Sequence, residues 1–156
     1  MTINIERISI SDIDLIKPLW EKLNNTHKQK SAYFSNYYSK FSFQERKQKL
    51  YKSPDTQFFI QIAKKKDKII GYCISTVYDK EIGEIDSIYI EKNYRNKKIG
   101  KKFIKSSLAW FDSQGIRFKK ILVAYGNESV LPFYEKYGFF PKQYILEQKK
   151  ECNVYL

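Results

Sequence analysis

Residues 94–101 read YRNKKIGK and join an apolar run to a segment with helical spacing. The stretch holds one glycine and four cations, which are Arg95, Lys97, Lys98 and Lys101. A helix N-terminus offers unpaired backbone N–H groups and the positive end of the helix dipole, so it attracts anions. A basic strand-to-helix junction of this kind can hold a phosphate or a pyrophosphate. A solvated, lysine-rich surface has the same composition, and the stretch alone leaves both interpretations open.

The sequence before this junction predicts a meander of antiparallel strands. QFFIQIAKK at 57–65 and KIIGYCISTVY at 68–78 flank a short turn and together predict a hairpin. EIGEIDSIYI at 81–90 predicts the next strand, and the alternation of apolar and polar residues at 3–8 predicts an opening strand.

Two helices are predicted between the opening strand and the hairpin. Helical spacing of apolar residues follows a capping-box pattern at Ser11 and Asp14, with Ser11 as the N-cap, and continues to about residue 24. A second capping-box pattern opens a helix over 42–51. The segment between them, residues 25–40, has no clean period and predicts a polar, aromatic-rich loop.

The sequence after the junction predicts a helix that ends near Gly115, a natural residue for a helix C-terminus. A buried strand is predicted at 118–125, a short helix at 127–138 and a final strand at 139–148. The tail from residue 151 adds a further short strand.

This order, β-α-α-β-β-β-α-β-α-β, predicts an α/β chain in which an antiparallel meander leads into a βαβ unit. The result is a mixed sheet. At 156 residues the chain is expected to form a single domain over 1–156.

Composition narrows the class of protein. An apolar content of 42% predicts a globular chain, and no apolar run is long enough to span a bilayer. The N-terminus lacks a signal-peptide pattern, so a cytoplasmic location is expected. Cys73 and Cys152 lack metal-type spacing, and no metal is expected. The net charge of +12 suits a nucleic-acid partner, but no helix-turn-helix, zinc or stacking-platform signature accompanies it.

Three features in this order resemble the GNAT superfamily of N-acetyltransferases. RNKKIG at 95–100 resembles the acetyl-CoA pyrophosphate loop of that family, [RQ]-x-x-G-x-[GA]. NESVLPFYEKYGF at 127–139 resembles its Asn…Tyr-Glu-Lys-x-Gly-Phe segment. The third feature is the order of elements, with acidic residues inside GEIDSIYI at 83–90. The resemblance implies the single-domain acyl-CoA N-acyltransferase fold.

The resemblance also implies which residues bind acetyl-CoA. The backbone of the strand at 84–90 bonds the pantetheine arm and supplies the oxyanion donor, and the loop surrounds the pyrophosphate. One departure is Lys98, which stands at a family glycine position and keeps its N–H available to phosphate if its φ is negative. The cofactor-binding residues are therefore expected to be Ile88, Tyr89, Ile90, Arg95, Asn96, Lys97, Lys98, Ile99, Gly100, Lys101, Asn127 and Tyr134.

The catalytic residues implied by the resemblance are Glu84 and Tyr134. Glu84, 11 residues before Arg95, is the general base toward the acceptor amine, acting directly or through water. Asp86 lies two residues on, so both carboxylates share a face of the strand, where one pKa rises and a cationic amine is attracted. An exposed polar sheet face is the alternative. Tyr134 matches the tyrosine that protonates the CoA thiolate, and a plain buried aromatic is its alternative.

Two further residues are candidates for binding. Asn127 is expected to contact the cofactor, because Ser129 is the better cap for the short helix before Pro132; capping by Asn127 itself is the alternative. His27, the single histidine, lies in the predicted loop, where it is either a surface residue or a contact to the acceptor substrate.

The predicted function is an acetyl-CoA-dependent N-acetyltransferase that transfers acetyl to a primary amine of a small molecule or peptide. The amine attacks the thioester directly. A CoA-binding module of the same fold without catalysis, and a basic nucleic-acid-binding protein, are the alternatives. Both a monomer and a homodimer fit the sequence, and no membrane partner is expected.

Overall fold

Five strands form one mixed sheet in the computed structural model, which describes residues 2–149. Their order across the sheet is the order along the chain, β1-β2-β3-β4-β5. β1 to β4 pair antiparallel, and β4 and β5 pair parallel, as the sequence predicts. The strands are β1 Ile3–Ile8, β2 Gln57–Lys65, β3 Lys68–Tyr78, β4 Ile82–Ile90 and β5 Phe118–Ile121.

Five α-helices connect these strands. Three of them lie between β1 and β2, one long helix crosses from β4 to β5, and a short one follows β5. They are α1 Lys17–Lys30, α2 Ser35–Lys40, α3 Phe43–Leu50, α4 Ile99–Ser113 and α5 Leu131–Glu135. No α-helix among residues 2–149 combines the length and the apolar character needed to cross a membrane.

Each face of the sheet carries its own apolar core. On one face, α4 contributes Phe103, Ile104 and Phe111, all fully buried. On the other face, α1 and α3 bring Trp20 and Leu50 against residues of β2 and β3. Because the sheet is covered on both faces, its central strands are apolar in nearly continuous runs rather than in clean alternation.

A bulge in β4 changes the face to which the strand presents its side chains. Ile74 of β3 stands opposite Ser87, but the next residue, Ser75, stands opposite Ile85, so Asp86 is the extra residue. Asp86 and Ser87 therefore point to the same side, where they bond Thr76 and Tyr72 respectively. That side is the one covered by α1 and α3.

The parallel pairing of β4 with β5 is short. It ends at the pair Ile85 and Ile121, only four residue pairs after it begins. Residues 86–90 of β4 have no partner in β5, so the sheet opens between the two strands beyond the bulge. This opening is the splay that the resemblance implies.

The helical part before β2 departs from the sequence prediction. Ser9, not Ser11, is the N-cap: its hydroxyl accepts a bond from the N–H of Ser11, and a 3-10 turn, Ile10–Ile16, precedes α1. The segment 25–40 is largely helical, because α1 continues to Lys30 and α2 follows. The N-cap of α3 is confirmed, since Ser42 accepts from the N–H of Glu45 at 3.1 Å.

The strands predicted after α4 are shorter than the sequence indicates. β5 ends at Ile121 instead of 125 and is half-exposed, with Leu122 facing solvent. Residues 139–148 form no strand, although their pattern is β-like; Leu146 is 92% exposed. A β pattern becomes a strand only where a neighbouring edge pairs with it, and no described residue does so here. The short strand predicted for the tail from 151 lies outside the described residues.

Candidate functional site

The loop before α4 adopts the conformation that glycine favours without using glycine. Asn96 has φ +62°, and Lys98, which directly precedes the helix, has φ +66° and ψ +11°. A negative φ at Lys98, the condition under which its N–H was expected to stay available to phosphate, is not met. A side chain in this left-handed region costs about 1–2 kcal/mol relative to glycine. The chain therefore keeps the shape of the turn at a local energetic cost.

The N-terminus of α4 is suited to an anion. Among the described residues no side chain caps it, and no acidic residue lies in its first turn. The first N–H groups of an α-helix have no partner within the helix, so they remain as donors. Lys97 and Lys101 are exposed beside them. Arg95 instead folds back: its Nε donates to the carbonyl oxygen of Ile90 at 2.9 Å and ties the loop to the end of β4.

Gly100 joins this helix N-terminus to α5. A Cβ atom at Gly100 would lie 3.1 Å from Cζ of Phe133 and 3.5 Å from Cδ1 of Ile90. Phe133 is next to Tyr134, and the two rings lie 5.3 Å apart. The loop, the end of β4 and Tyr134 therefore come together around one close contact.

The Tyr134 side chain lies in the core on the α4 side, with the residue 7% exposed. Burial raises the pKa of its hydroxyl above the ordinary value, so the hydroxyl is protonated at neutral pH. That hydroxyl makes no hydrogen bond within residues 2–149. The structure therefore shows the buried aromatic that is one of the two alternatives from the sequence, and the role of Tyr134 as a proton donor stays a prediction.

The side chains of residues 88–90, at the edge of β4, point to both faces of the sheet. Ile88 and Ile90 pack against the core on the α4 side, whereas Tyr89 packs on the opposite face. Their side chains are core residues, as expected. Their backbone lies along the part of β4 that β5 leaves unpaired.

Glu84 and Asp86 lie on the same face of β4, as predicted, but both are buried. Glu84 is 4% exposed and the Asp86 side chain 0%, which contradicts the alternative of an exposed polar face. Tyr78 donates its hydroxyl to Glu84 at 2.9 Å, and Thr76 donates to Asp86 at 2.5 Å. These two carboxylates are called the β4 carboxylate pair below.

Two lysines stand beside the β4 carboxylate pair. The Lys52 ammonium forms an ion pair with Asp86 and lies 3.8 Å from Oε2 of Glu84. The Lys120 ammonium lies 3.7 Å from Oε1 of Glu84. Burial raises the pKa of Asp86 to about 6; the charge of Lys52 opposes this shift, and that of Glu84 adds to it. The expected rise of one pKa in the pair is therefore seen at Asp86.

Sequence reasoning missed most of the partners of this pair. Thr76 stands opposite Glu84 in the β3–β4 register, so an aligned hairpin would have indicated that β3 supplies hydroxyl groups here. Lys52 carries no such signal. It lies two residues after α3, and only the packing of that helix on the sheet brings its ammonium to β4.

Asn127 lies where α1 meets the loop after β5. Its Oδ1 accepts a bond from Nζ of Lys30 at 3.2 Å, so its side chain has a protein partner and does not act as a cap. Ser129 lies inside the 3-10 turn Glu128–Val130 and caps neither this turn nor α5, which corrects the prediction. Gly126 has φ +100°, and a Cβ atom there would lie 2.3 Å from the carbonyl oxygen of Lys30.

His27 lies in α1, not in a loop, which corrects its predicted setting. Its ring is 5.5 Å from that of Tyr38, and its Nδ1 is buried without a partner among residues 2–149. Burial lowers the pKa of the imidazole, and the charges of Lys30 and Arg46 add to this effect. His27 makes no hydrogen bond to a predicted site residue in the described chain.

Two other features lie outside this arrangement. A surface cavity of about 640 Å³ lies among α1, α2 and α3, and its lining includes none of the predicted site residues. Within residues 2–149 no three His, Cys, Asp or Glu side chains are grouped in a way that would hold a metal ion. Of the predicted residues, those of the loop before α4, the end of β4 and α5 lie close together, whereas Asn127 and His27 lie beside and within α1.

Comparison with known proteins agrees with this geometry. The model of the acetyltransferase (GNAT) family matches residues 20–139. An uncharacterized N-acetyltransferase of Methanocaldococcus jannaschii is 26% identical over 72 residues, which is 46% of this chain. The match spans about a third of that relative, 32% of its length.

Solved structures share the fold. An aminoglycoside acetyltransferase from an uncultured soil metagenomic sample, in complex with sisomicin, has a TM-score of 0.65 and 19% identity, with 97% of each chain covered. The PaiA N-acetyltransferase of Thermoplasma acidophilum, in complex with coenzyme A, has a TM-score of 0.66 and 21% identity, with 88% of this chain and 89% of that one covered.

The close approach of Gly126 to α1 predicts an unequal response of two glycines to alanine. Gly138→Ala costs about 1–2 kcal/mol, because φ is +86° there but nothing lies within 4 Å of the new Cβ. Gly126→Ala costs about 1–3 kcal/mol more, because the α1 backbone must also move. Urea unfolding followed by tryptophan fluorescence measures both losses. Equal losses would contradict the close approach.

Proposed function

Because this chain belongs to the GNAT acetyltransferase family, we propose that it transfers the acetyl group of acetyl-CoA to a primary amine of a small molecule or peptide. The observation that carries the proposal is the contact between Gly100 and Phe133. It brings the N-terminus of α4 against α5, the helix that carries Tyr134, beside Ile90 at the end of β4.

The residues at the start of α4 fit a polyanionic cofactor. The free N–H groups of the first helical turn suit a pyrophosphate, and the ammonium groups of Lys97 and Lys101 add positive charge beside it. The coenzyme A complex of the Thermoplasma neighbour supports this assignment. In this proposal the backbone from Asn96 to Lys101 holds the pyrophosphate, while the Arg95 side chain positions the loop.

The opening in the sheet fits the pantetheine arm. Amide groups of the arm would bond the backbone of residues 88–90, which β5 leaves unpaired. Asn127 would contact the cofactor from the loop after β5. Its bond to Lys30 links that contact to the end of α1.

Bound acetyl-CoA supplies an acetyl thioester, and residues of this chain accept and donate the protons of the reaction. Glu84 accepts the proton of the amine, directly or through a water molecule, as the new carbon–nitrogen bond forms. A backbone N–H near residues 88–90 donates to the carbonyl oxygen while negative charge develops there. The Tyr134 hydroxyl gives its proton to the departing sulfur as the carbon–sulfur bond breaks.

A CoA-binding protein without catalysis is the competing function of the same fold. Its only support in the sequence is the lysine at the glycine position of the loop. That support weakens because Lys98 adopts the left-handed conformation that glycine favours. The presence of Glu84 and Tyr134 beside the opening favours the enzyme.

The cofactor proposal predicts that the shape of the loop, rather than the Lys98 ammonium, sets affinity. Lys98→Gly keeps acetyl-CoA affinity within about threefold and raises the free energy of unfolding by about 0.5–1 kcal/mol, because strain relief exceeds the entropic cost of glycine. Lys98→Val lowers affinity about tenfold, because a β-branched residue disfavours positive φ.

Calorimetric titration at about 150 mM salt measures these affinities under conditions that screen loose phosphate attraction. If Lys98→Gly loses as much affinity as Lys98→Val, the ammonium makes the contact. Absence of acetyl-CoA binding by the unchanged protein would overturn the proposed function.

The role of Tyr134 predicts a loss of turnover without a loss of cofactor binding. Tyr134→Phe keeps the buried ring and lowers kcat about 10²–10³-fold, because the proton donor is removed. Tyr137→Phe is the matched control, since Tyr137 packs on the same Phe133 ring at 5.4 Å. Steady-state kinetics with acetyl-CoA and an accepted amine measures both variants. An unchanged kcat in Tyr134→Phe would rule out the role.

The role of Glu84 predicts a loss that depends on pH. Glu84→Gln keeps the size of the side chain and lowers kcat/KM at neutral pH about 10²-fold, because the base is lost. The loss shrinks as pH rises, since solvent then deprotonates the amine. Glu6→Gln is the control, because Glu6 lies on β1 and pairs with Lys64. A loss that is constant across pH would argue against a proton-accepting role.

A further inference from the structure

We propose that Lys52 is a built-in counter-cation that makes this site select acceptor amines carrying no second positive charge. The inference rests on the proposed function and names the class of its acceptor. Suitable acceptors are monoamines whose remaining groups are neutral or anionic. Di- and polyamines are disfavoured.

The surroundings of the Lys52 ammonium are those that a bound ammonium group needs. It pairs with Asp86, lies 3.8 Å from Oε2 of Glu84 and donates to Oγ1 of Thr76 at 2.8 Å. It also stands 4.7 Å from the centre of the Tyr78 ring, within cation–π distance. Two carboxylates, a hydroxyl group and an aromatic face thus already serve a lysine of the chain itself.

The charges around the β4 carboxylate pair leave no negative charge unbalanced. Lys52 reaches the pair from the segment after α3, and Lys120 reaches it from β5. Arg46 of α3 donates from Nη2 to the backbone oxygen of Asp86 at 2.7 Å. Two ammonium groups therefore face two carboxylates, and a third cation bonds the backbone beside them. The sequence led us to expect that the pair attracts a cationic amine. We now expect less attraction, because cations of the chain itself already lie beside the pair.

Burial makes this balance hard to alter. The Asp86 side chain is fully buried, and that of Lys52 is only 19% exposed. Removing one partner from a buried ion pair leaves an uncompensated charge, so an acceptor ammonium does not readily displace Lys52. A second ammonium on the acceptor meets like charge instead. Specificity then comes from repulsion of the wrong substrate.

The shared fold of aminoglycoside acetyltransferases does not fix the acceptor of this chain. Aminoglycosides carry several amino groups, and several ammonium groups need negative charge around them that is not already balanced. Around the β4 carboxylate pair of this chain both carboxylates already face an ammonium group. The shared fold does not determine which acceptor is used, and the local charges narrow the class of acceptors.

The test compares two probes that differ by one ammonium group, n-butylamine and 1,4-diaminobutane. Their binding is measured by calorimetry in the presence of saturating CoA, and their kcat/KM values are measured with acetyl-CoA. The unchanged protein is expected to favour n-butylamine about tenfold in both measurements. Lys52→Met, which keeps the length of the side chain without its charge, is expected to reverse this preference.

Three further variants isolate the charge. Lys52→Arg keeps the positive charge and is expected to keep the preference for n-butylamine. Lys120→Gln removes a half-exposed cation and is expected to shift the preference in the same direction as Lys52→Met, but less. Lys47→Met changes a lysine within α3 that pairs with Asp14 instead, and it is expected to leave the preference unchanged.

Several outcomes would overturn the inference. A preference of the unchanged protein for 1,4-diaminobutane would do so, and this result needs no variant to fold. The inference would also be overturned if Lys52→Met bound no diamine, or if the preference shifted equally in Lys47→Met. Failure of the proposed function looks different, because then the unchanged protein binds no acetyl-CoA. If it binds acetyl-CoA and acetylates both probes equally well, only the inference fails.

Discussion

The end of the ladder between β4 and β5 is the constraint on which the rest of the site depends. The two strands pair over only four residue pairs, and a bulge at Asp86 follows immediately in β4. Pairing beyond this point would close the sheet and bury the backbone of residues 88–90 against a neighbour. Since pairing stops, a row of backbone donors and acceptors stays at an open edge, beside the N-terminus of α4.

The bulge also separates two kinds of chemistry. Before it, Glu84 points to the face covered by α1 and α3, where the β4 carboxylate pair is surrounded by cations and hydroxyl groups. After it, Ile88 and Ile90 point to the opposite face and pack with α4. β4 therefore presents carboxylates to the helices on one face of the sheet and apolar side chains to the helix on the other face. Its backbone connects them at the opening.

Local pattern was enough to predict the fold class, whereas the place of the site stays a prediction. The alternation in β2 and β3, the acidic residues in β4 and the basic turn before α4 are each encoded within a few residues. Their order along the chain fixes how they meet, because short connections and a right-handed crossover leave few topologies. The mixed sheet followed from these signals.

What the sequence did not predict depends on contacts between distant segments. Lys52 reaches Asp86 across 34 positions of sequence, and Lys30 reaches Asn127 across 97. The β-like pattern at 139–148 predicted a strand because pattern reports the preference of a segment, not the presence of a partner edge. His27 was assigned to a loop because the apolar spacing of α1 stops at Leu23 and only polar residues follow, although the helix continues to Lys30.

The positive φ of Lys98 has a consequence for how such loops are recognised. The glycine in a loop signature stands for a backbone conformation, and that conformation is the property under selection. Here Asn96 and Lys98 both occupy the left-handed region, the second at a position where the signature asks for glycine. A comparison by residue identity counts Lys98 as a departure, whereas a comparison by backbone dihedral angles counts it as a match. Divergent members of a fold are thus better compared by the angles of their turns than by the letters of their motifs.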